Sequence, residues 1–198
     1  MTKGALIPGS YYHIYNHAVG SDKLFLSDDN YLYFLKRYQH FVSPVADTLA
    51  YCLMPNHVHL FVEIRQDIQL PAGSKYEMSK FVSKQFGNLF SSYSQAFNKQ
   101  QRRFGNLFMS NFRRKVVDND NYFTNLILYI HLNPVRHGFV DYTSKWKYSS
   151  YNLIDSPFDS FVEKDKVLAW FNGSDEFNRA HAHGTAGQLP ESLELSGS

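Results

Sequence analysis

The chain has 198 residues, 43% of them apolar and 17% aromatic, which is enough for one substantial globular domain with a buried core. Its formal charge of +2 excludes a strong overall basic field, so nucleic-acid binding would have to depend on local clusters. The single cysteine, Cys52, excludes a disulfide framework, and no apolar run is long enough to span a bilayer, so we expect a cytoplasmic protein without a signal peptide.

The first half of the chain predicts a strand, a helix and a hairpin. Alternating aromatic residues over 11–19 predict the first strand. Residues 31–42 carry apolar side chains at helical spacing, and the Asp-Asp-Asn run at 28–30 is a candidate N-cap. Two strands are predicted at 48–54 and 57–65, and the Pro-Asn dipeptide between them is typical of a tight turn.

The second half predicts a long amphipathic helix, a basic loop, an extended stretch ending in a strand, a helix and two short helices. These elements are expected at 76–98, 99–106, 107–117, 121–133, 163–171 and 174–181. The Asn133-Pro134 pair is expected to end the helix at 121–133. The order β-α-β-β-α-β-α predicts an α+β fold with helices packed on an antiparallel sheet, ferredoxin-like or a close variant.

Two histidines, His57 and His59, stand one residue apart at the head of a predicted strand. Because side chains alternate along a strand, both imidazoles point to one face, while Val58 and Leu60 point to the other. Neutral imidazole nitrogens bind divalent metal ions. Two ligands are too few for a metal site, and two partly exposed histidines are the commoner explanation of such a pair, so a third donor is needed.

The helix at 121–133 offers that donor together with a nucleophile. Tyr129 and Asn133 are four residues apart, so they share a helix face away from the centre of the apolar stripe. A tyrosine phenol can act as a nucleophile, and an amide oxygen can complete a His-His-Asn site for Mg²⁺ or Mn²⁺. Spacing alone favours a simpler interpretation, in which the tyrosine packs and the asparagine caps the helix.

Two longer motifs together resemble the single-tyrosine HUH transposases. Residues 51–62, Tyr-Cys-Leu-Met-Pro-Asn-His-Val-His-Leu-Phe-Val, resemble the His-hydrophobic-His motif of that family. Residues 129–135, Tyr-Ile-His-Leu-Asn-Pro-Val, are similar to its second signature in the branch associated with repetitive extragenic palindromes. Three shorter matches lie at 12–16, 105–108 and 146–151. The resemblance runs from about residue 11 to about residue 151.

The resemblance implies an HUH-type fold and a DNA transposase. It implies that Tyr129 is the nucleophile, that His57 and His59 bind a divalent metal, Mg²⁺ or Mn²⁺, and that Asn133 completes the metal site where related transposases carry Gln. The enzyme would nick and rejoin single-stranded hairpin DNA through a 5′-phosphotyrosine intermediate. At one position the chain departs from the family, because His17 stands where Arg is frequent.

Basic residues interleaved with aromatic ones predict further contacts with single-stranded or hairpin DNA. The predicted contacts are Arg102, Arg103, Arg113, Arg114, Lys115, Lys80, Lys84, Lys145 and Lys147. For any one of them, a solvated surface charge is an equally good explanation. The cluster as a whole therefore carries the prediction.

The expected organisation is a transposase-like catalytic domain over 1–155, a helical extension over 156–183 and a disordered tail over 184–198. Two other functions remain open from the sequence. A domesticated relative would bind palindromic DNA without cutting it, and a metal-dependent hydrolase would use water as its nucleophile. Relatives act as homodimers or as monomers, and both states are open for this chain, which we expect on the bacterial nucleoid when bound to DNA.

Overall fold

The computed structural model describes residues 4–109 and 111–183. It contains four strands and six α-helices in these described parts, with one 3-10 turn at Thr143–Lys145. The strands are β1 (Tyr11–His17), β2 (Ala46–Leu53), β3 (His57–Ile64) and β4 (Arg113–Val117). The helices are α1 (Asp28–Phe41), α2 (Met78–Gln101), α3 (Asp120–Arg136), α4 (Tyr151–Ile154), α5 (Lys164–Trp170) and α6 (Ser174–His183).

The strands form one sheet in the order β2-β3-β1-β4, and all neighbours are antiparallel. This order, with a helix between β1 and β2 and another between β3 and β4, is the ferredoxin-like arrangement. The predicted α+β fold is therefore confirmed. The topology puts β1 and β3 side by side in the middle of the sheet, although α1 and β2 separate them along the chain.

The middle of the sheet is covered on both faces. On one face, Ile14 of β1 pairs with Leu60 of β3, and both are buried. Arg114, which pairs with Ile14, donates to Ser83 of α2. Tyr38 of α1 hydrogen-bonds to Thr48 of β2, so both helices lie on this face. On the other face, α3 packs against β2 and β3. Because both faces of β3 are covered, His57 and His59 lie inside the protein, where a polar group without a partner costs free energy.

Several predicted boundaries differ from the structure. The first strand ends at His17 instead of residue 19, and α2 continues to Gln101, so the start of the expected basic loop is helical. The fourth strand occupies only Arg113–Val117 of the expected 107–117. The expected cap at 28–30 is wrong: the N-cap of α1 is Ser27, and the Asn30 side chain instead accepts a hydrogen bond from the Leu26 N–H (3.0 Å).

The expected end of α3 at Asn133 is also wrong, since the helix runs through Pro134 to Arg136. Pro134 has no N–H to donate to the carbonyl four residues before it, so one helical hydrogen bond is missing in the last turn. The carbonyls of Asn133 and Pro134 accept hydrogen bonds from the N–H groups of His137 (3.0 Å) and Phe139 (2.9 Å). These bonds close the helix end after the proline.

The segment after residue 155 packs on the same core. Trp170 of α5 contacts the rings of Phe123 (4.6 Å between centroids) and Phe61 (6.2 Å), and Phe177 of α6 is fully buried. The expected disordered tail, 184–198, lies outside the described residues. Within residues 4–109 and 111–183, no helix is both long and apolar enough to cross a membrane.

Candidate active site

The motif histidines and the predicted nucleophile meet between the sheet and α3. The ring centroid of Tyr129 lies 5.4 Å from that of His59, and the rings of His57 and His59 are 5.0 Å apart. Asn133, one helical turn after Tyr129, reaches the same place. His59 is fully buried, and the exposed fractions of His57, Asn133 and Tyr129 are 4%, 2% and 9%. The four side chains singled out in the sequence are thus brought together.

His57 lies between two amide oxygens. Its Nδ1 is 2.9 Å from Asn56 Oδ1, and its Nε2 is 3.3 Å from Asn133 Oδ1. The Asn133 side-chain NH₂ donates to the Tyr129 carbonyl (3.1 Å), which directs Oδ1 toward the imidazole. A neutral imidazole has one N–H and donates to one of these oxygens only. The other nitrogen therefore points its lone pair at a lone pair of the second oxygen. Two lone pairs repel each other, and a cation bound to both atoms would make the contact favourable.

His59 has one nitrogen bonded and one without a partner. Its Nδ1 is 3.0 Å from Nε2 of His13, a buried residue of β1. Its Nε2 is buried and makes no hydrogen bond in the described part of the protein. An unsatisfied buried nitrogen of this kind costs free energy and calls for an explanation, such as an ion that binds there.

These atoms fit a divalent metal ion. Adjacent ligands of an ion bound at about 2.1 Å lie about 3 Å apart in octahedral geometry, close to the 3.3 Å between His57 Nε2 and Asn133 Oδ1. Among the described residues, no group of three His, Cys, Asp or Glu side chains could hold a metal, so a third ligand would have to be of another kind, for which the Asn133 amide oxygen is a candidate. The buried Nε2 of His59, which has no hydrogen-bond partner in the described structure, is a further candidate donor.

Burial keeps the imidazoles neutral. Loss of hydration lowers the pKa of His57 to about 4, with a smaller contribution from the nearby His17. Burial likewise lowers the pKa of His13 to about 3 and the pKa of His59 well below its ordinary value. At neutral pH each of these imidazoles therefore carries a single proton, which leaves one ring nitrogen with a lone pair for a metal ion.

Residues of β1 form one wall of the site, a position that the sequence analysis did not predict for them. The register pairs Tyr15 with His59 and His17 with His57, so these side chains share the histidine face with His13. The rings of His17 and His57 stack at 5.0 Å. The alternation of side chains along β1 predicts that its odd-numbered residues share one face. The sequence does not show that this face lies beside His57 and His59, because that depends on the order of strands in the sheet.

Two residues at the end of α3 were also missed. The Arg136 guanidinium lies 5.4 Å from the centroid of the Tyr129 ring, and the His137 ring lies 5.4 Å from that of His57. Both follow Pro134, where the helix was expected to have ended. Because α3 continues, the Arg136 cation is one turn from Asn133, beside the tyrosine.

The basic run of β4 is divided between two faces of the sheet. Arg113 pairs with Tyr15 and Lys115 with His13, so both lie on the histidine face. Arg114 lies on the opposite face, where its guanidinium donates to Ser83 of α2 (2.6 Å). The predicted run is therefore not one patch, because neighbouring residues of a strand point in opposite directions.

The other predicted DNA contacts are scattered. Lys80 and Lys84 lie on α2, Arg102 ends that helix in a left-handed conformation (φ 52°), and Arg103 pairs with Asp22 (2.5 Å). Lys145 and Lys147 form ion pairs with Asp141 (3.8 Å) and Asp28. The basic residues thus lie in more than one place: Arg113 and Lys115 lie on the sheet face that carries the histidines, and Lys80, Lys84 and Arg114 line a surface along α2.

Comparison with known proteins supports the sequence resemblance. A protein of Haemophilus influenzae named as a REP-associated tyrosine transposase is 26% identical to this chain over 109 residues. A solved structure of a REP-associated tyrosine transposase bound to a REP hairpin has a TM-score of 0.58 and 16% identity, covering 77% of this chain and 83% of the other. The resemblance to the REP-associated transposases is thus confirmed.

The extent of these similarities is limited. The match covers 54% of this chain and 59% of the length of the Haemophilus influenzae relative, and no protein-family model matches. The solved transposase shares the fold, as the sheet order above leads one to expect. A bacterial tRNA(His) guanylyltransferase-like protein in complex with GTP has a TM-score of only 0.46 at 9% identity, over 69% of this chain and 68% of the other.

Proposed function

We propose that this protein is a metal-dependent DNA transposase that nicks and rejoins single-stranded hairpin DNA, with Tyr129 as its nucleophile. The observation that carries the proposal is the position of the Tyr129 ring, 5.4 Å from the ring of His59, over a histidine pair with an unsatisfied nitrogen. A protein of the same fold was solved bound to a REP hairpin, which supports palindromic DNA as the substrate.

In the proposed reaction the Tyr129 phenol oxygen attacks the scissile phosphorus. The bond from phosphorus to the 3′ oxygen breaks, the 3′ oxygen takes up a proton and leaves as a hydroxyl, and the 5′ phosphate stays joined to the tyrosine. Attack by another 3′ hydroxyl on this phosphotyrosine reverses the step and restores the phenol. The phosphodiester energy is conserved in the covalent bond, so joining requires no nucleotide cofactor.

His57, His59 and Asn133 would hold the divalent ion, Mg²⁺ or Mn²⁺. When bound, the ion would polarise the scissile phosphate and stabilise charge that develops on its oxygens. All three donors are neutral, so they would leave the charge of the ion available to an anionic substrate. Their geometry supports this assignment, since Asn133 Oδ1 and His57 Nε2 face each other at 3.3 Å.

Cations of the chain itself would orient the strand at the site. A tyrosine phenol has an ordinary pKa near 10, so its attack needs positive charge nearby. Arg136 lies over the Tyr129 ring, and Arg113 and Lys115 lie on the same sheet face. These three residues would bind phosphates on either side of the scissile bond and favour the phenolate.

The decisive experiment traps the covalent intermediate. The protein is incubated with Mn²⁺ and a hairpin oligonucleotide labelled on the 3′ side of the cut, and then denatured. We expect a labelled protein band for the wild type and none for Tyr129→Phe, while both proteins shift the hairpin equally in a native gel. Released product without a labelled protein would indicate a water nucleophile, and a gel shift without any cleavage would indicate a binding protein.

A further inference from the structure

A second concave surface lies on the sheet face opposite to the histidines. It is a groove of about 810 Å³ along α2, and its other wall is the chain that leads into β4. Asn16 and Arg114 line it, and both belong to strands whose neighbouring residues face the candidate active site. We call this surface the α2 groove. The reaction proposed above makes no use of it.

The α2 groove is positively charged. Lys80, Lys84 and Arg114 line it, and no carboxylate of the described residues does. Lys80 forms an exposed ion pair with Glu77 (3.2 Å), whereas Lys84 and Arg114 have no carboxylate partner within the described ranges. Most of the remaining lining consists of amides, hydroxyls and aromatic rings, a composition typical of surfaces that bind phosphate and bases.

The Arg114 guanidinium is partly buried without a counter-charge among the described residues, and a bound anion would lower its free energy. Its guanidinium lies 4.7 Å from the centroid of the Phe112 ring and donates to Ser83, but its Nε is buried without a hydrogen-bond partner in the described structure. Burial lowers the pKa of this guanidinium because part of its hydration is lost. A desolvated charge without a counter-charge is costly, and a phosphate would supply both the charge and the acceptor.

Gly87 leaves the wall of the groove open. It lies in the middle of α2 and is exposed, and a Cβ placed on it would meet nothing within 4 Å. A glycine inside a helix destabilises it relative to alanine, and packing here gives no reason for the absence of a side chain. Close approach of a ligand to the helix is a reason that fits its place in the groove.

We propose that the α2 groove binds single-stranded nucleic acid, as a contact surface separate from the candidate active site. Lys84 and Arg114 would pair with phosphates, and the exposed ring of Tyr76 would stack with a base. Stacking on side chains requires unpaired bases, which selects a single strand over a duplex stem. This inference rests on the proposed function only for the choice of nucleic acid as the ligand.

The test measures fluorescence anisotropy of a fluorescein-labelled oligothymidylate, which forms no hairpin. We expect Gly87→Leu to raise the Kd at least tenfold, because the side chain fills the groove, without lowering the thermal unfolding midpoint. Lys84→Gln is expected to weaken binding and to reduce the salt dependence by about 0.7 per lost phosphate contact. Lys36→Gln, an exposed lysine of α1 outside the groove, is the matched control and leaves both quantities unchanged.

Two results would overturn the inference. If folded Gly87→Leu and Lys84→Gln bind the oligothymidylate as the wild type does, the strand lies elsewhere. If they lose affinity only for a blunt two-stranded duplex without unpaired nucleotides, the groove holds a duplex stem. The covalent trapping assay separates this inference from the proposed function: a wild type without adduct refutes the catalytic proposal and leaves the groove measurement intact.

Discussion

Single hydrogen bonds decide which nitrogen each motif histidine presents to the site. His57 and His59 both use Nδ1 within the protein, toward Asn56 and His13 respectively. When Nδ1 donates, Nε2 has a free lone pair, which is the form that binds a metal ion. His13 is therefore more than a wall of the site, because it can fix the tautomer and the ring orientation of His59.

We predict that His13→Phe weakens Mn²⁺ binding tenfold to a hundredfold, the range typical of lost hydrogen bonds to metal ligands. The ring volume is kept, but the acceptor for His59 Nδ1 is removed. Isothermal titration with Mn²⁺ alone measures the effect, and Tyr15→Phe on the same strand face serves as the control. A folded His13→Phe protein with wild-type Mn²⁺ affinity would show that His13 only packs.

At the scale of elements, α3 is held from two sides. Its histidine face meets β3, and on its other side His131 Nδ1 lies 2.9 Å from His181 Nε2 of α6. His131 Nε2 lies 2.7 Å from Ser150 Oγ, and His181 Nδ1 donates to the Phe177 carbonyl (2.7 Å). When both imidazoles are neutral, His181 Nε2 accepts the proton of His131 Nδ1, and His131 Nε2 is an acceptor that faces Ser150 Oγ.

This arrangement predicts a loss of stability at mildly acidic pH. Burial lowers the pKa of His181 to about 4 in the folded protein, below its ordinary value of 6.5. The unfolded chain then binds more protons, so the stabilising contribution is complete above pH 6.5 and is lost as the pH falls toward 4. Between pH 7 and pH 5 the wild type should lose about 2 kcal/mol more than His181→Leu.

Urea denaturation at the two pH values measures this difference. The exposed His40 of α1 provides the control, and His40→Gln should follow the wild type. Equal losses in the wild type and in His181→Leu would mean that protonation at this helix contact does not govern acid stability.

How far the sequence predicts each element depends on how local its determinants are. The hairpin of β2 and β3 and the stripe of α2 follow from periodicity, so they were predicted within a few residues. The pairing of β1 with β3 joins strands that α1 and β2 separate along the chain, so local sequence patterns do not predict the β1 wall of the site. The local preference of the residue before a proline predicts that α3 ends at Asn133. The helix continues because the N–H groups of His137 and Phe139 bond to the carbonyls of Asn133 and Pro134. The division of the β4 arginines follows from strand alternation, which the prediction of one basic patch ignored.

At the scale of the whole molecule, the segment after residue 155 completes the hydrophobic core. Val167, Phe171 and Phe177 are buried, and Trp170 covers Phe123. Removal of a large buried side chain costs about 3 kcal/mol. Three such losses exceed half of the about 5–15 kcal/mol by which a typical domain is stable. The expected boundary at residue 155 therefore does not mark a point where packing ends.

We predict that a chain truncated after Asp155 fails to fold cooperatively. It should express in insoluble form or lack a sharp thermal transition by circular dichroism, because the ring cluster around Phe123 loses its cover. A chain truncated after His183 keeps every buried residue named above and is the control, with a sharp transition expected. A soluble 1–155 protein that unfolds at the full-length midpoint would instead make the extension a separate unit.

Strand β3 carries its two imidazoles and its aliphatic residues on alternate positions, and both sets are buried. A shift of the register against β1 by one residue would exchange the two sets. His57 and His59 would then lie in the apolar core without hydrogen-bond partners, and Val58 and Leu60 would face Tyr129. A misaligned chain of this kind would be unstable as well as inert. The alternation of β3 thus ties the position of the two imidazoles to the stability of the whole sheet.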